Sequence, residues 1–268
     1  MAPPPSSPTF FSATPVFGRV EFAKAFGRRP GDRAVTDLLK YHLRVGNIRR
    51  IERGVFASVS KDARPGAGSV DRFLAASRMR TGAVIAYRSA LELHGCAVAP
   101  SNEVQLIASG EPGLIETADF ACRFICRPRH HSSRADVTTV DRQSLPVSVT
   151  TFERTLMDLF DRYDLVGGAE DLFRCLDVVV EREVSFEIEA VVDFARRLGN
   201  ATAAGALGYW LDREQHRLGV TETALEDLRS LAPRHARYAL GATPGQGRAA
   251  TGWNVILPTE IVVRYFDD

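Results

Sequence analysis

Apolar residues recur at helical spacing near the start of the chain, where Val35, Leu38, Leu39, His42 and Leu43 fall at i, i+3, i+4, i+7 and i+8. This stripe predicts a helix over 33–44, with Asp32 at its N-terminal cap and Gly46 just past its end. Its opposite face carries Arg33, Thr36, Asp37, Lys40, Tyr41 and Arg44. Upstream, Val20, Ala23, Lys24 and Phe26 predict a shorter helix, ended by Gly27 and the turn Arg28-Arg29-Pro30-Gly31. Downstream, residues 47–51 and 55–58 alternate around Arg53-Gly54, which reads as a hairpin. Helix, turn, helix and basic hairpin in that order predict a winged helix-turn-helix domain over 15–61.

A Gly/Ala/Pro stretch at 63–68 then reads as a linker. Beyond it, Val70, Phe73, Leu74 and Ser77 mark a helix, 83–86 a strand, and 87–94 a helix ending at Gly95. Strands are predicted at 103–108, 121–126, 137–140 and 147–149. From Thr150 the pattern becomes helical. Thr150 and Glu153 have capping-box spacing before the stripe Phe152, Leu156, Leu159, Phe160 and Tyr163. Further helices carry Leu172, Leu176 and Val179, then Ile188, Val191, Val192 and Ala195 after a Ser185 cap, then 203–213 and 222–231. A closing strand is predicted at 253–257, before the apolar tail Ile261-Val262-Val263-Arg264-Tyr265-Phe266. Strands first and helices after predict an α+β domain over 69–268. Residues 1–14, rich in Pro and Ser, read as a disordered lead in which Phe10 and Phe11 can dock locally.

Charge sharpens this division. Through Lys61 the chain carries eleven Lys/Arg against four acids, a net of +7; the whole chain is +1, which leaves −6 for the remainder. A basic head on an acidic body predicts polyanion binding. A helix fits the major groove of duplex DNA, where exposed polar side chains reach base edges while neighbouring cations hold phosphates. The expected groove readers are Arg33, Thr36, Lys40, Tyr41 and Arg44, with Arg28, Arg29, Arg49, Arg50 and Arg53 on phosphates. The stretch 152–193, with twelve acids against four Arg, would repel DNA. It either faces a basic protein partner or keeps the helices solvated.

Other chemistry finds little support. Cys122 and Cys126 precede His130 and His131, but Phe120, Cys122, Phe124 and Cys126 alternate as the buried face of a strand would. No metal and no cofactor are therefore expected. The histidines are scattered, with no nucleophile motif and no phosphate-cradling Gly-rich loop. Glu103-Val104-Gln105 has Gln where a restriction-type nuclease would place its metal-site Lys, and no Lys follows Lys61, so no enzyme activity is expected. Hydrophobic residues make up 45% and charged residues 25%, and no apolar run reaches the roughly 20 residues of a membrane span. With no signal-peptide pattern and four Cys that do not form a disulfide framework, the reading is a cytoplasmic protein.

Four segments in order resemble the AbiEi-type antitoxins of type IV toxin-antitoxin systems. They are Ile51-Glu52-Arg53-Gly54-Val55-Phe56; Gly82-Ala83-Val84-Ile85 with Ser89-Ala90-Leu91-Glu92-Leu93-His94-Gly95; Thr151-Phe152-Glu153-Arg154-Thr155-Leu156-Met157-Asp158-Leu159; and Gly205-Ala206-Leu207-Gly208-Tyr209-Trp210-Leu211 with Trp253-Asn254-Val255-Ile256-Leu257-Pro258. The resemblance implies a bacterial transcriptional autorepressor that binds inverted repeats in operator DNA and counteracts a nucleotidyltransferase-type toxin with help from its C-terminal domain. A stand-alone winged-helix regulator without a toxin is the principal alternative, and a nuclease of restriction-endonuclease type a more distant one.

Overall fold

A computed structural model describes residues 5–59, 70–126 and 136–264. Lys61, the linker expected at 63–68, His130, His131, Tyr265 and Phe266 lie outside the described residues. The fold is mixed α/β, with three sheets among the described residues. It comprises two compact units, one of Met1–Ile85, Ser101–Arg127 and Thr139–Val149, the other of Ala86–Pro100, Pro128–Thr138 and Thr150–Asp268. No helix among the described residues is long and apolar enough to cross a membrane.

The first unit opens with α1 (Ser7–Ala13), β1 (Val16–Gly18), α2 (Arg19–Ala25), α3 (Arg33–Arg44), β2 (Ile48–Glu52) and β3 (Val55–Ser58). Residues 7–13 correct the expectation of a disordered lead. Ser6 caps α1 by accepting from the Thr9 amide, and Phe10 packs edge-on against Phe17 and Phe22 with ring centroids 5.1 and 5.5 Å apart. Phe10, Phe17, Phe22, Val35, Leu39, Ile48 and Phe56 form one buried cluster. Phe11 packs on the same cluster, stacked on Phe17 and Phe22, so α1 brings two aromatic rings to it. Strand β1, which the sequence pattern did not reveal, pairs antiparallel with β3 and puts Phe17 opposite Phe56, so the hairpin becomes a three-stranded sheet in the order β1-β3-β2.

The same unit continues through α4 (Arg72–Ser77), β4 (Val84–Ile85), β5 (Glu103–Ala108), β6 (Gly113–Glu116), β7 (Ala121–Cys126), β8 (Val137–Arg142) and β9 (Leu145–Thr150) into a six-stranded sheet of order β6-β7-β5-β4-β9-β8. Asp71 caps α4 through the Leu74 amide and receives Arg142 Nε at 2.7 Å. On β7 the alternation buries Phe120, Cys122 and Phe124, whereas Cys126, expected on that face, is exposed at the strand's end. Edge strand β6 is largely exposed and shows no buried alternation, which is why its sequence gave no signal.

The second unit contains α5 (Tyr87–Leu93), α6 (Phe152–Asp161), a 3-10 turn at Tyr163–Leu165, α7 (Ala169–Glu181), α8 (Ile188–Leu198), α9 (Ala201–Arg213), α10 (Gln215–Leu218), α11 (Glu222–Leu231), β10 (Arg237–Tyr238), β11 (Gly247–Ala250), β12 (Val255–Pro258) and α12 (Thr259–Val263). Two expected caps move. Thr151, not Thr150, receives the Arg154 amide, because the Thr150 hydroxyl faces inward at 2.7 Å from that of Thr155. Glu187, not Ser185, precedes α8. On α9, side chains at Gly205 and Gly208 would collide with Val255 and the ring of Trp253, so the two glycines let the closing segment lie directly on the helix. Trp253 Nε1 then donates to Asp212 at 2.9 Å. Of the apolar tail, Ile261, Val262 and Val263 fall in α12, which buries Ile261 and Val262.

Candidate nucleic-acid interface

Helix α3 presents the open basic surface of the first unit. Its buried side is Val35, Leu39 and His42, and its exposed side is Arg33, Ala34, Asp37, Lys40, Tyr41 and Arg44. Arg33 and Arg44 lie eleven residues apart, about 16 Å along the axis. Among the described residues, Arg33 makes only an exposed contact of 3.6 Å to Asp37. The Arg44 guanidinium lies 5.9 Å from the centre of the Tyr41 ring, which stiffens both exposed side chains.

The position of α3 is set from three sides. Arg19 Nε donates to the Pro30 carbonyl, and its Nη2 donates to Thr36 Oγ1 at 2.6 Å, which ties the inter-helix turn to α3. The carboxylate of Asp32 turns back to the Arg29 amide at 2.9 Å, so Asp32 occupies the cap position while bracing the turn instead of capping the helix. At the far end Asn47 Nδ2 lies 3.1 Å from His42 Nδ1, and the Phe11 ring meets the imidazole edge-on at 4.8 Å. Burial pulls the His42 pKa below its usual value, which keeps the ring neutral inside the cluster.

Beside α3, the β2–β3 hairpin turns at Arg53-Gly54, with Gly54 at φ +83, and the Gly54 carbonyl accepts the Arg19 amide at 2.8 Å. A register shift between Arg50 and Glu52 marks a bulge in β2. Arg50 and Arg53 are exposed.

Of the ten residues expected to meet DNA, eight (Arg28, Arg29, Arg33, Lys40, Tyr41, Arg44, Arg50 and Arg53) are exposed on the turn, on α3 or on the hairpin. The other two are engaged within the protein. Thr36 is partly buried and accepts from Arg19, so its hydroxyl belongs to the scaffold. Arg49 is ion-paired to Asp119 at 2.7 Å, in the loop before β7. Seventy residues separate that pair, and nothing in the local sequence signals it. Arg19, counted from the sequence only as one more positive charge, is the side chain that fixes the angle of α3. Its partners at 30 and 36 are too far along the chain for a periodicity argument.

The Glu103 carboxylate is engaged by Arg123 Nε and Nη2 at 2.8 and 2.7 Å. Among the described residues, no group of three or more His, Cys, Asp or Glu side chains is arranged to hold a metal ion. No family model matches the chain, and no curated protein matches it.

Proposed function

We propose that the chain is a DNA-binding antitoxin and transcriptional autorepressor of a type IV toxin-antitoxin operon, with a winged helix at its amino end and no catalytic role. The observation that carries DNA binding is the exposed basic face of α3 flanked by the arginine-bearing hairpin. On this reading Arg33, Lys40, Tyr41 and Arg44 enter the major groove, and Arg28, Arg29, Arg50 and Arg53 hold the phosphates on either side. The antitoxin part rests on the four sequence segments in family order. The partners are operator DNA with inverted repeats and a cognate nucleotidyltransferase-type toxin, in the bacterial cytoplasm.

The test is salt-titrated binding of the full chain to the DNA upstream of its own gene. Arg50→Ala with Arg53→Ala should weaken all sequences alike and lower the salt slope by about one unit per lost phosphate contact. Lys40→Ala or Arg44→Ala should relax discrimination by about 1–3 kcal/mol at the base pair each side chain reads. Unchanged affinity in the hairpin double variant would sink the interface. For the antitoxin part, a full-length variant lacking Arg33, Lys40 and Arg44 is supplied from a foreign promoter to cells that carry the neighbouring toxin gene under its own promoter. Continued rescue of growth is expected. Loss of rescue would mean that neutralisation is purely transcriptional, and absence of any toxin gene beside this one would favour the stand-alone regulator.

A further inference from the structure

Two arginines and a histidine line one cavity of the second unit, and no acid lines it with them. The cavity, of about 570 Å3, lies between the first turn of α9, at Ala201 and Thr202, and the segment bearing Arg234, His235 and Arg237. That segment is pinned at both ends by one residue. Asn254 accepts the Arg237 amide on its carbonyl at 3.1 Å and donates from Nδ2 to the Pro233 carbonyl at 2.9 Å. Asn254 itself sits at φ +49, a left-handed conformation that Asn tolerates better than most residues. The backbone from 233 to 237 is therefore held while its side chains project outward.

Those side chains are exposed, and among the described residues no hydrogen bond or ion pair engages any of the three. This is unusual within the unit, where Arg154, Arg162, Arg174, Arg196, Arg197 and Arg229 are each paired to a carboxylate. Two arginines and a histidine without a side-chain partner among the described residues, on a fixed backbone, leave a site that an external anion can fill. The amino end of α9 adds potential of the same sign, although Asn200 Oδ1 already takes the Thr202 and Ala203 amides.

We propose that this cavity binds a phosphate group, carried either by a nucleic-acid strand or by a free nucleotide. Two guanidinium forks match the paired oxygens of a phosphate, and an imidazole supplies a further donor. A second cavity of about 290 Å3 adjoins it, with Thr202 lining both. Tyr163 and the half-exposed Tyr238 line that second cavity, because successive residues of β10 send Arg237 to one side and Tyr238 to the other. An aromatic wall beside a phosphate site gives a nucleobase somewhere to stack. The proposal does not depend on the α3 interface.

The experiment compares the full-length protein with an Arg234→Gln, Arg237→Gln double variant, using inorganic phosphate and AMP by calorimetry and duplex DNA by gel shift. Both arginines are exposed, so an unchanged circular dichroism spectrum and melting point are expected. For a free nucleotide, AMP binds more tightly than inorganic phosphate and the double variant loses at least tenfold for both. For a nucleic-acid phosphate, neither small anion binds but duplex affinity falls at least tenfold. An Arg234→Lys, Arg237→Lys variant, which keeps the charge, should recover part of the binding. If all three probes behave alike with native protein and the glutamine variant, the site is wrong. A loss that appears only with Arg33, Lys40 and Arg44 removed would belong to the α3 face and would also overturn it.

Discussion

Helices α3 and α6 carry the same short pattern, an arginine followed four residues later by an aspartate, with opposite consequences. On α3 the Arg33–Asp37 pair is loose at 3.6 Å, and its side chains are 92% and 60% exposed. On α6 the Arg154–Asp158 pair is 3.1 Å apart, with 3% and 1% exposed. A solvated pair of this kind contributes about 0–1 kcal/mol, because water screens the attraction and two long side chains lose freedom. A buried pair has paid for desolvation, so breaking it leaves a charge where water cannot reach. The difference separates two uses of one pattern: the α3 arginine remains available to an outside anion, whereas the α6 arginine is committed to holding its own unit together.

The strongest break in the comparison is Arg154→Ala, which should cost about 3–5 kcal/mol in urea unfolding. Replacing both partners by apolar residues of similar size should cost much less. A loss under 1 kcal/mol for the single variant would mean the pair is not buried as described. Burial pushes the Asp158 pKa up to about 7, opposed by the attraction of Arg154. The folded state therefore holds that proton more tightly than the unfolded chain, whose carboxylate titrates near 4. The corresponding stability is fully present below about pH 4 and is lost as pH rises through about 7. Arg154→Ala should steepen that decline, which urea midpoints at pH 5 and pH 8 would reveal.

Phe10→Ala should come next, at about 3 kcal/mol, the low end for a buried phenylalanine because the neighbouring Phe11 ring can shift into part of the space. The loss should appear in amide exchange of α2 and α3 and leave α6 unchanged. Equal loosening of α6 would contradict the separation of the two cores. The smallest effect on stability belongs to Arg33→Ala, within about 1 kcal/mol of native. On the proposed function it should nonetheless weaken DNA binding measurably in a salt titration. A stability loss as large as that of Arg154→Ala would erase the contrast between the helices.

Much of the fold was legible from spacing. The predicted strands at 103–108 and 121–126 and the helix at 222–231 match β5, β7 and α11 at both ends, because each has a strong apolar period bounded by turn residues. The elements that were missed share a physical cause. Strands β1, β6, β10 and β11 are short or largely exposed, and α1 is held by two rings, Phe10 and Phe11, packed on a cluster built from residues 17–56. The glycines of α9 read as weak points in a helix until Trp253 is laid across them. On α3 the pattern placed Arg33, Lys40, Tyr41 and Arg44 on the exposed side, where they are, but it could not foresee that Thr36 serves Arg19 or that Arg49 meets Asp119.

The sequence by itself determined the helical stripes, the basic beginning and acidic remainder, and the spacing of both arginine–aspartate pairs, since all of these depend on neighbours within a few residues. Only the tertiary structure decided which pair is buried, which cations are spent within the protein and which remain open at α3 and around Arg234 and Arg237. Burial and long-range pairing are set by segments tens of residues apart, and a side chain's charge carries no record of the partner that folding brings to it.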